Sequence, residues 1–145
     1  MKATSQALRE KMRLLERRIG ALKESEMSCC GVTMAQCHAL VEIGRAPGLS
    51  LRELAALLEL DTSTTSRTVN NLVKGGLAQR QSDQGDRRFI AIELTPQGKA
   101  LWQKIETDMQ GYYQEVFQRL PADKRQQVVD SLVLLLESID RDKCC

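Results

Sequence analysis

Apolar residues recur along the chain at two spacings, which predict long stretches of helix and one pair of strands. Over residues 8–22 they recur in steps of three and four, forming a narrow seam along one side of a helix. Between Phe89 and Leu94 they alternate with polar residues, as in a half-exposed strand, and Leu77 to Gln81 supplies a shorter partner. The pattern predicts a mainly α fold with a small β-hairpin.

Local signals place two short helices just before that hairpin. Ser50 followed by Glu53 is a capping box that opens the first of them. Asp61 is a good N-cap for the next, over 62–74, and Gly75-Gly76 stops it. Residues 50–98 therefore have the layout of a winged helix-turn-helix, a fold that reads double-stranded DNA.

The remaining helices flank this region. One begins at Thr95-Pro96, and the last runs from about Asp123 to Asp140. The last helix has an apolar face too wide for one short neighbour to cover, so we expect the N-terminal helix and a partner chain to bury it. We predict a single domain over 1–145. It consists of a winged helix-turn-helix over 33–98, called the head below, and dimerisation helices over 1–30 and 99–145.

One face of the predicted helix 62–74 carries small hydroxyls, an amide and cations. Such groups bond base edges and phosphates in the major groove. The polar tip of the hairpin adds cations able to enter the minor groove, with a carboxylate able to brace them. The candidate DNA-binding residues are Ser63, Thr64, Ser66, Arg67, Asn70, Lys74, Asp86, Arg87 and Arg88.

Composition narrows the function classes. A net charge of +2 is too small to imply a partner by itself. Clustered aromatic residues, which single-stranded nucleic acids require for stacking, are missing. No apolar run approaches the roughly 20 residues of a membrane span, and no signal-peptide core opens the chain. We expect a cytoplasmic protein with reduced cysteines.

Several motifs of the head resemble those of the MarR family of bacterial regulators. They are Leu58 to Asp61, Ser66-Arg67, Gly76 to Arg80, Asp83, Asp86-Arg87-Arg88, Leu94-Thr95 and Gly98. The resemblance implies an obligate homodimer, built from the N- and C-terminal helices, that sets two heads on a pseudo-palindromic operator as a repressor. Three positions depart from the family pattern: Glu59 for a frequent Gly, Thr65 for an aliphatic, and Gly85 for a frequent wing-tip Arg.

A symmetric dimer also follows from geometry. One such helix buries little surface on DNA, whereas two that are spaced by about one DNA turn, ~34 Å, gain affinity together.

The cysteines are not required by this fold. The segment 25–31 is polar, so we expect Cys29 and Cys30 to lie in a loop before a helix that Thr33 and Gln36 cap. A helix N-terminus favours thiolates. Together with Cys37, these thiols suit As(III), Hg(II) or Cu(I). Structural Zn(II) with His38 is disfavoured, because neighbours on a helix point about 100° apart.

Other effector chemistries stay open. Peroxide or an electrophile is a second candidate, since neighbouring thiols oxidise readily. A small aromatic ligand between the dimer helices and the head, the mode common in the family, would leave the cysteines incidental. Cys37 alone is explained equally well as a small core residue packed on Val32. Cys144 and Cys145 are either further ligands or a frayed tail.

Two other function classes fit less well. We expect no enzyme, because the chain has one histidine, no nucleophile–base–acid set and no glycine-rich phosphate loop. A helical dimerisation module that does not bind DNA is the other alternative. Salt-sensitive binding to duplex DNA separates it from a regulator.

Overall fold

The computed structural model describes residues 2–82 and 90–139, with the helix backbone alone over 25–30. Within them the elements are α1 (Ser5–Cys30), α2 (Met34–Arg45), α3 (Leu51–Leu58), α4 (Thr62–Lys74), β1 (Ala78–Ser82), β2 (Ile90–Leu94), α5 (Pro96–Arg119), a 3-10 turn (Ala122–Lys124) and α6 (Arg125–Ser138). The predicted mainly α fold with a hairpin wing is confirmed. None of these helices is both long and apolar enough to cross a membrane. The backbone groups into two compact units, Met1–Ile105 and Glu106–Cys145.

The helix starts of the head are capped as the sequence predicts. The Ser50 hydroxyl accepts the Glu53 amide at 3.1 Å, and the Glu53 carboxylate accepts the Ser50 amide at 3.1 Å. Thr33 and Gln36 form the same reciprocal pair at the start of α2. Each box satisfies two backbone N–H groups that a helix start leaves without partners, which fixes where α2 and α3 begin.

The end of α4 is set by Gly76, whose φ of +74° is easy for glycine. The Leu77 amide reaches back to the Leu72 carbonyl at 2.9 Å, and the Gly76 amide to the Val73 carbonyl at 3.0 Å. These two bonds are those of a Schellman motif. The chain therefore leaves the helix at Gly76, and β1 begins at Ala78, directly after Leu77.

The first turn of α5 packs directly on the backbone at the end of α4. Thr95 donates its amide to the Leu77 carbonyl at 3.1 Å and its hydroxyl to the Gly76 carbonyl at 2.6 Å. A Cβ on Gly98 would lie 1.9 Å from the Leu77 oxygen, so only glycine fits there. The spacing of Thr95 and Gly98 thus joins α4, β1 and α5 at one point.

The hairpin is antiparallel, and Arg80 pairs with Ile92 in its register. Its second strand also meets the segment after α2, which the sequence did not predict. Ile92 donates to the Leu49 carbonyl at 2.7 Å, and its carbonyl accepts the Gly48 amide at 3.2 Å. This bridge ties β2 to the segment between α2 and α3, and Ile92 is buried there while Ile90 is 47% exposed.

The core of the first unit lies among α2, α3, α4 and the hairpin. Its buried apolar side chains include Ala39, Leu40, Ile43, Leu54, Ala55, Val69, Leu72, Leu77, Ala78, Ile92, Leu94 and Ile105. On the flank of α2, the Trp102 indole lies over Gly44, where a Cβ would come within 2.4 Å of the ring. The indole nitrogen of Trp102 is buried and has no hydrogen-bond partner among the described residues.

In the second unit, Arg125 closes the end of α5. Its guanidinium donates to the carbonyls of Phe117 at 3.1 Å and Gln118 at 3.2 Å, and lies 5.2 Å from the centre of the Phe117 ring. A cation is favourable at the negative end of a helix, where carbonyls lack intrahelical partners.

The large apolar side chains of this unit are mostly uncovered within one protomer. No residue of α6 is buried. The wide apolar face predicted from the sequence is therefore present and exposed within the described part of the unit. The exposed large apolar side chains are Tyr112, Tyr113, Phe117, Val129, Leu132, Val133, Leu134, Leu136 and Ile139.

One prediction about the local structure is wrong. The segment 25–31 was expected to break the chain and to hold Cys29 and Cys30 in a loop, whereas α1 continues to Cys30. The helix ends only at Gly31, which has a φ of +70°. Serine, glutamate, methionine and cysteine are all tolerated inside a helix, so a polar composition without glycine or proline does not stop one.

The end of α3 departs from helix-capping preference. Leu60 donates to the Ala55 carbonyl at 3.0 Å and Glu59 to the Ala56 carbonyl at 3.2 Å, which again forms a Schellman motif. The left-handed position is occupied by Glu59, with a φ of +57°. Among the described residues it is the one non-glycine with positive φ.

We expect Glu59→Gly to raise the free energy of unfolding by about 0.5–1 kcal/mol. A Cβ disfavours the left-handed conformation, and part of the relief is offset by the larger entropy of glycine in the unfolded chain. Urea unfolding measures the difference. Glu59→Ala is the matched control, since it removes the carboxylate but keeps the Cβ. An equal rise in the alanine variant would contradict the backbone explanation.

Candidate nucleic-acid interface

The first turn of α4 is organised by Asp61. Its carboxylate accepts the Thr64 amide at 2.7 Å and the Thr64 hydroxyl at 2.7 Å. These two bonds, with a smaller contribution from the positive charge of Arg67, lower the pKa of Asp61. Arg67 in turn donates to the Thr64 hydroxyl oxygen at 3.4 Å. The Thr64 hydroxyl therefore donates a hydrogen bond to Asp61 and accepts one from Arg67.

Two of the other hydroxyls of α4 point inward. Thr65 donates to the Asp61 carbonyl at 2.9 Å and Thr68 to the Thr64 carbonyl at 3.2 Å. Both side chains are buried, and these bonds to the preceding turn satisfy their hydroxyls inside the core. Thr65 stands where the family commonly has an aliphatic residue, and its burial agrees with that position.

The remaining candidates on α4 form one exposed row. Ser63, Arg67, Asn70 and Lys74 follow each other at steps of four, three and four, so they lie along one side of the helix. We call these four residues the α4 stripe. Ser66 flanks the stripe and is half-buried. The other three DNA-binding candidates, Asp86, Arg87 and Arg88, lie outside the described residues.

A further residue reaches this surface and was missed in the sequence. Arg80 of β1 donates a hydrogen bond to the amide oxygen of Asn70. Strand alternation places Arg80 on the same face of the hairpin as Ala78, which is buried against the head. A cation on the inward face of an edge strand was the available signal, because such a side chain can only run along the head.

The candidate thiols are described unequally. Cys29 and Cys30 belong to the last turn of α1, and Cys37 is half-buried in α2. Cys144 and Cys145 lie outside the described residues. Within the described residues, no three His, Cys, Asp or Glu side chains form a group able to hold a metal ion. The side chains of four of the five cysteines lie outside the described part of the chain, so the thiol site stays a prediction.

His38 follows Cys37 on α2 and lies largely exposed. Partial burial, and then the positive charge of Lys23 on α1, lower the pKa of His38, while Glu42 opposes the shift. The lowered pKa keeps the imidazole neutral near pH 7.

A cavity of about 360 Å³ lies close to the end of α1. Its apolar wall comes from Val32, Leu77 and Leu101. Three carboxamide side chains, Gln36, Asn71 and Gln97, supply polar groups, and Gly31 and Gly75 complete the lining. None of these lining residues is ionisable.

Comparisons with known proteins agree with this geometry. A family model described as MarR family matches residues 31–88. The chain is similar to the HTH-type transcriptional regulator BilQ of Clostridium symbiosum, 27% identical over 120 residues that cover 83% of this chain and 81% of that protein. It is also similar to the multiple antibiotic resistance protein MarR of Salmonella typhimurium, 28% identical over 119 residues, 81% of this chain and 80% of that protein.

The fold is shared with a solved structure, Streptococcus pneumoniae FabT in complex with DNA. It matches with a TM-score of 0.85 over 92% of this chain and 96% of that chain, at 17% identity. At that level of identity the likeness is one of fold alone.

The lowered pKa of Asp61 predicts how the head responds to acid. Its contribution to stability is fully present above its ordinary pKa of 3.8 and is lost as the pH falls through the lowered folded-state value. Asp61→Asn keeps a capping oxygen but carries no charge. We expect the variant to be less stable near pH 7 and the difference to shrink toward about pH 3. Urea unfolding across this range measures it, and a difference independent of pH would contradict the assignment.

Proposed function

The chain belongs to the MarR family of transcriptional regulators, as its motifs predicted, and on that premise we propose that it binds duplex DNA as a homodimeric repressor. The expectation that it is a regulator and not an enzyme is confirmed by the same membership. We further propose that a thiophilic metal or metalloid ion releases it from its operator. The stripe on α4, backed by a capped and close-packed head, carries the DNA-binding proposal.

The stripe has the chemistry that duplex recognition requires. Arg67 and Lys74 bring positive charge to phosphates, while Ser63 and Asn70 offer groups able to reach base edges. All four side chains are exposed on one side of α4, whereas the other side is buried in the core. The related fold of FabT has been solved in complex with DNA, which supports the same role for this head.

The dimer proposal rests on the second unit. The exposed large side chains of α5 and α6 include Phe117, Leu134 and Leu136, and the last two are 66% and 70% exposed. Large apolar side chains exposed in this number are unfavourable in water unless another surface covers them. A second copy of the chain supplies a matching face by symmetry, and the dimer then presents two heads to a pseudo-palindromic site.

The thiol proposal must account for the corrected position of Cys29 and Cys30. The last turn of a helix carries partial negative charge, which disfavours the thiolate, the form of cysteine that attacks peroxide. A soft ion displaces the thiol proton by forming a strong bond with sulfur, so As(III), Hg(II) or Cu(I) is the better effector for this position.

The thiols also have a position from which they can act on the head. Cys30 ends α1 and Cys37 belongs to α2, so an ion held by both would join the two helices across the three-residue link 31–33. Such an ion changes DNA affinity only to the extent that it prefers one arrangement of the heads over another.

The 360 Å³ cavity offers a second effector site. Its carboxamides and apolar wall suit a small neutral ligand with hydrogen-bonding groups, and its lining offers no cation for a carboxylate. The two effector sites can be separated in one DNA-release assay on reduced protein, with As(III), Hg(II), Cu(I), Zn(II), peroxide, salicylate and neutral salicylamide as probes.

We expect Arg67→Ala to weaken operator binding by about 1–3 kcal/mol while the protein stays dimeric, because it removes one charged contact of the stripe. Arg87→Ala is expected to act in the same direction. Binding is measured by fluorescence anisotropy over a range of salt concentrations, and the dimer by sedimentation. Arg45→Ala is the matched control, because it also removes one arginine charge but from α2 and not from the α4 stripe. The Arg45 guanidinium nitrogen Nη1 lies 3.9 Å from Oε1 of Glu42 on the same helix. Loss of the dimer in the Arg67 variant would contradict the role assigned to it.

We expect the variant with Cys29, Cys30 and Cys37 all changed to serine to bind operator normally but to resist release. The As(III) concentration for half-release should rise at least about tenfold, because the soft ligands are gone. The Cys144→Ser, Cys145→Ser double variant tests whether the terminal pair contributes. If the triple variant is released by every effector that acts on the wild type, the thiol mechanism is wrong.

A further inference from the structure

We propose that Arg80 and Asn70 form one base-reading unit, in which Arg80 orients the Asn70 amide so that its N–H groups face the DNA. Arg80 is then a positioning residue that determines specificity, although it belongs to the wing strand and not to α4. The inference rests on the proposed DNA binding of the head. It goes beyond that binding because it says which base edges Asn70 recognises.

The chemistry of the pair fixes the orientation of the amide. A guanidinium has five N–H donors and no acceptor, so the atom of Asn70 that faces Arg80 has to be the carbonyl oxygen. A hydrogen bond from a charged donor is stronger than one between neutral groups. The amide nitrogen of Asn70 therefore points away from Arg80.

This orientation limits what Asn70 recognises. An unconstrained asparagine binds adenine with two bonds, accepting from the N6 amino group and donating to N7. The first of those bonds would have to use the second lone pair of the oxygen that Arg80 already holds. The held amide presents donors, which match the N7 and O6 acceptors of guanine or the O4 acceptor of thymine. Adenine is a poorer match, because its N6 donor lies beside N7 and faces the donors of the held amide. We infer that the base opposite Asn70 is guanine or thymine, and that adenine is disfavoured there.

The location of the pair supports a role in recognition. Asn70 lies between Arg67 and Lys74 on the stripe, and both Asn70 and Arg80 are exposed. An exposed polar pair adds little to folding stability, so removing it should leave the fold intact. The bond to Asn70 uses one of the five N–H donors of the guanidinium.

The test is a selection of duplexes from a randomised pool, followed by affinity measurements on the selected site and its single-base variants. It compares wild type with Asn70→Ala, Arg80→Ala, Arg80→Lys and the Asn70→Ala, Arg80→Ala double variant. Gln79→Ala is the matched control, because Gln79 is also exposed on β1 but lies on the opposite face of the strand.

We expect Asn70→Ala and Arg80→Ala to lose discrimination at the same base position, by about tenfold. Arg80→Lys, which keeps a charged donor, should recover part of it. The double variant should discriminate no worse than Asn70→Ala alone, as expected for residues that act through one contact. Gln79→Ala should bind like the wild type.

Three results would overturn the proposal. In the first, Arg80→Ala weakens binding equally for all sequences and lowers the salt dependence by about one phosphate contact, which leaves Arg80 a backbone contact only. In the second, wild type selects adenine at the position that Asn70→Ala relaxes. In the third, Arg80→Ala changes nothing. Failure of the proposed function looks different, because wild type itself would then show no salt-sensitive binding and enrich no sequence.

Discussion

The carbonyl oxygen of Leu77 is the point on which the head depends. It accepts the amide of Thr95, and it occupies the space that any side chain at position 98 would need. Backbones that meet this closely have one relative position, because protein interiors are packed without spare volume. The end of α4, the start of the hairpin and the first turn of α5 are therefore fixed together. Side chains that project from α4 and β1 inherit this fixed geometry, as a recognition surface requires.

The parts of the head that could be predicted are those governed by local chemistry. A serine or aspartate before a helix satisfies amides within three residues, so Ser50 and Asp61 mark helix starts without reference to the rest of the fold. Glycine at position 76 ends α4 for an equally local reason, since it tolerates a left-handed backbone. The α4 stripe could be predicted once the two ends of α4 were known. The apolar residues identify the buried side of the helix, so the residues on the opposite side face solvent.

What could not be predicted depends on contacts between distant segments or on the strength of weak signals. The bond between Arg80 and Asn70 joins β1 to α4, and no spacing in the sequence indicates that these two residues meet. The bridge between Leu49 and Ile92 likewise arises only once the hairpin is folded onto α2. For Cys29 and Cys30 the error was of another kind, since polarity was taken as a helix breaker although residues 25–30 include no glycine or proline. The roles of Asp86, Arg87 and Arg88 stay predictions.

The contact between Trp102 and Gly44 has a use that does not depend on what the protein binds. The chain contains one tryptophan, so its near-ultraviolet emission comes almost wholly from a single ring lying between α2 and α5. Indole emission shifts in wavelength with the polarity around the ring, and this ring is held against a backbone with its nitrogen out of contact with solvent. Any separation of α2 from α5 would admit water to the indole nitrogen and shift the emission of Trp102 to longer wavelength. The emission wavelength of Trp102 therefore reports whether α2 and α5 are in contact.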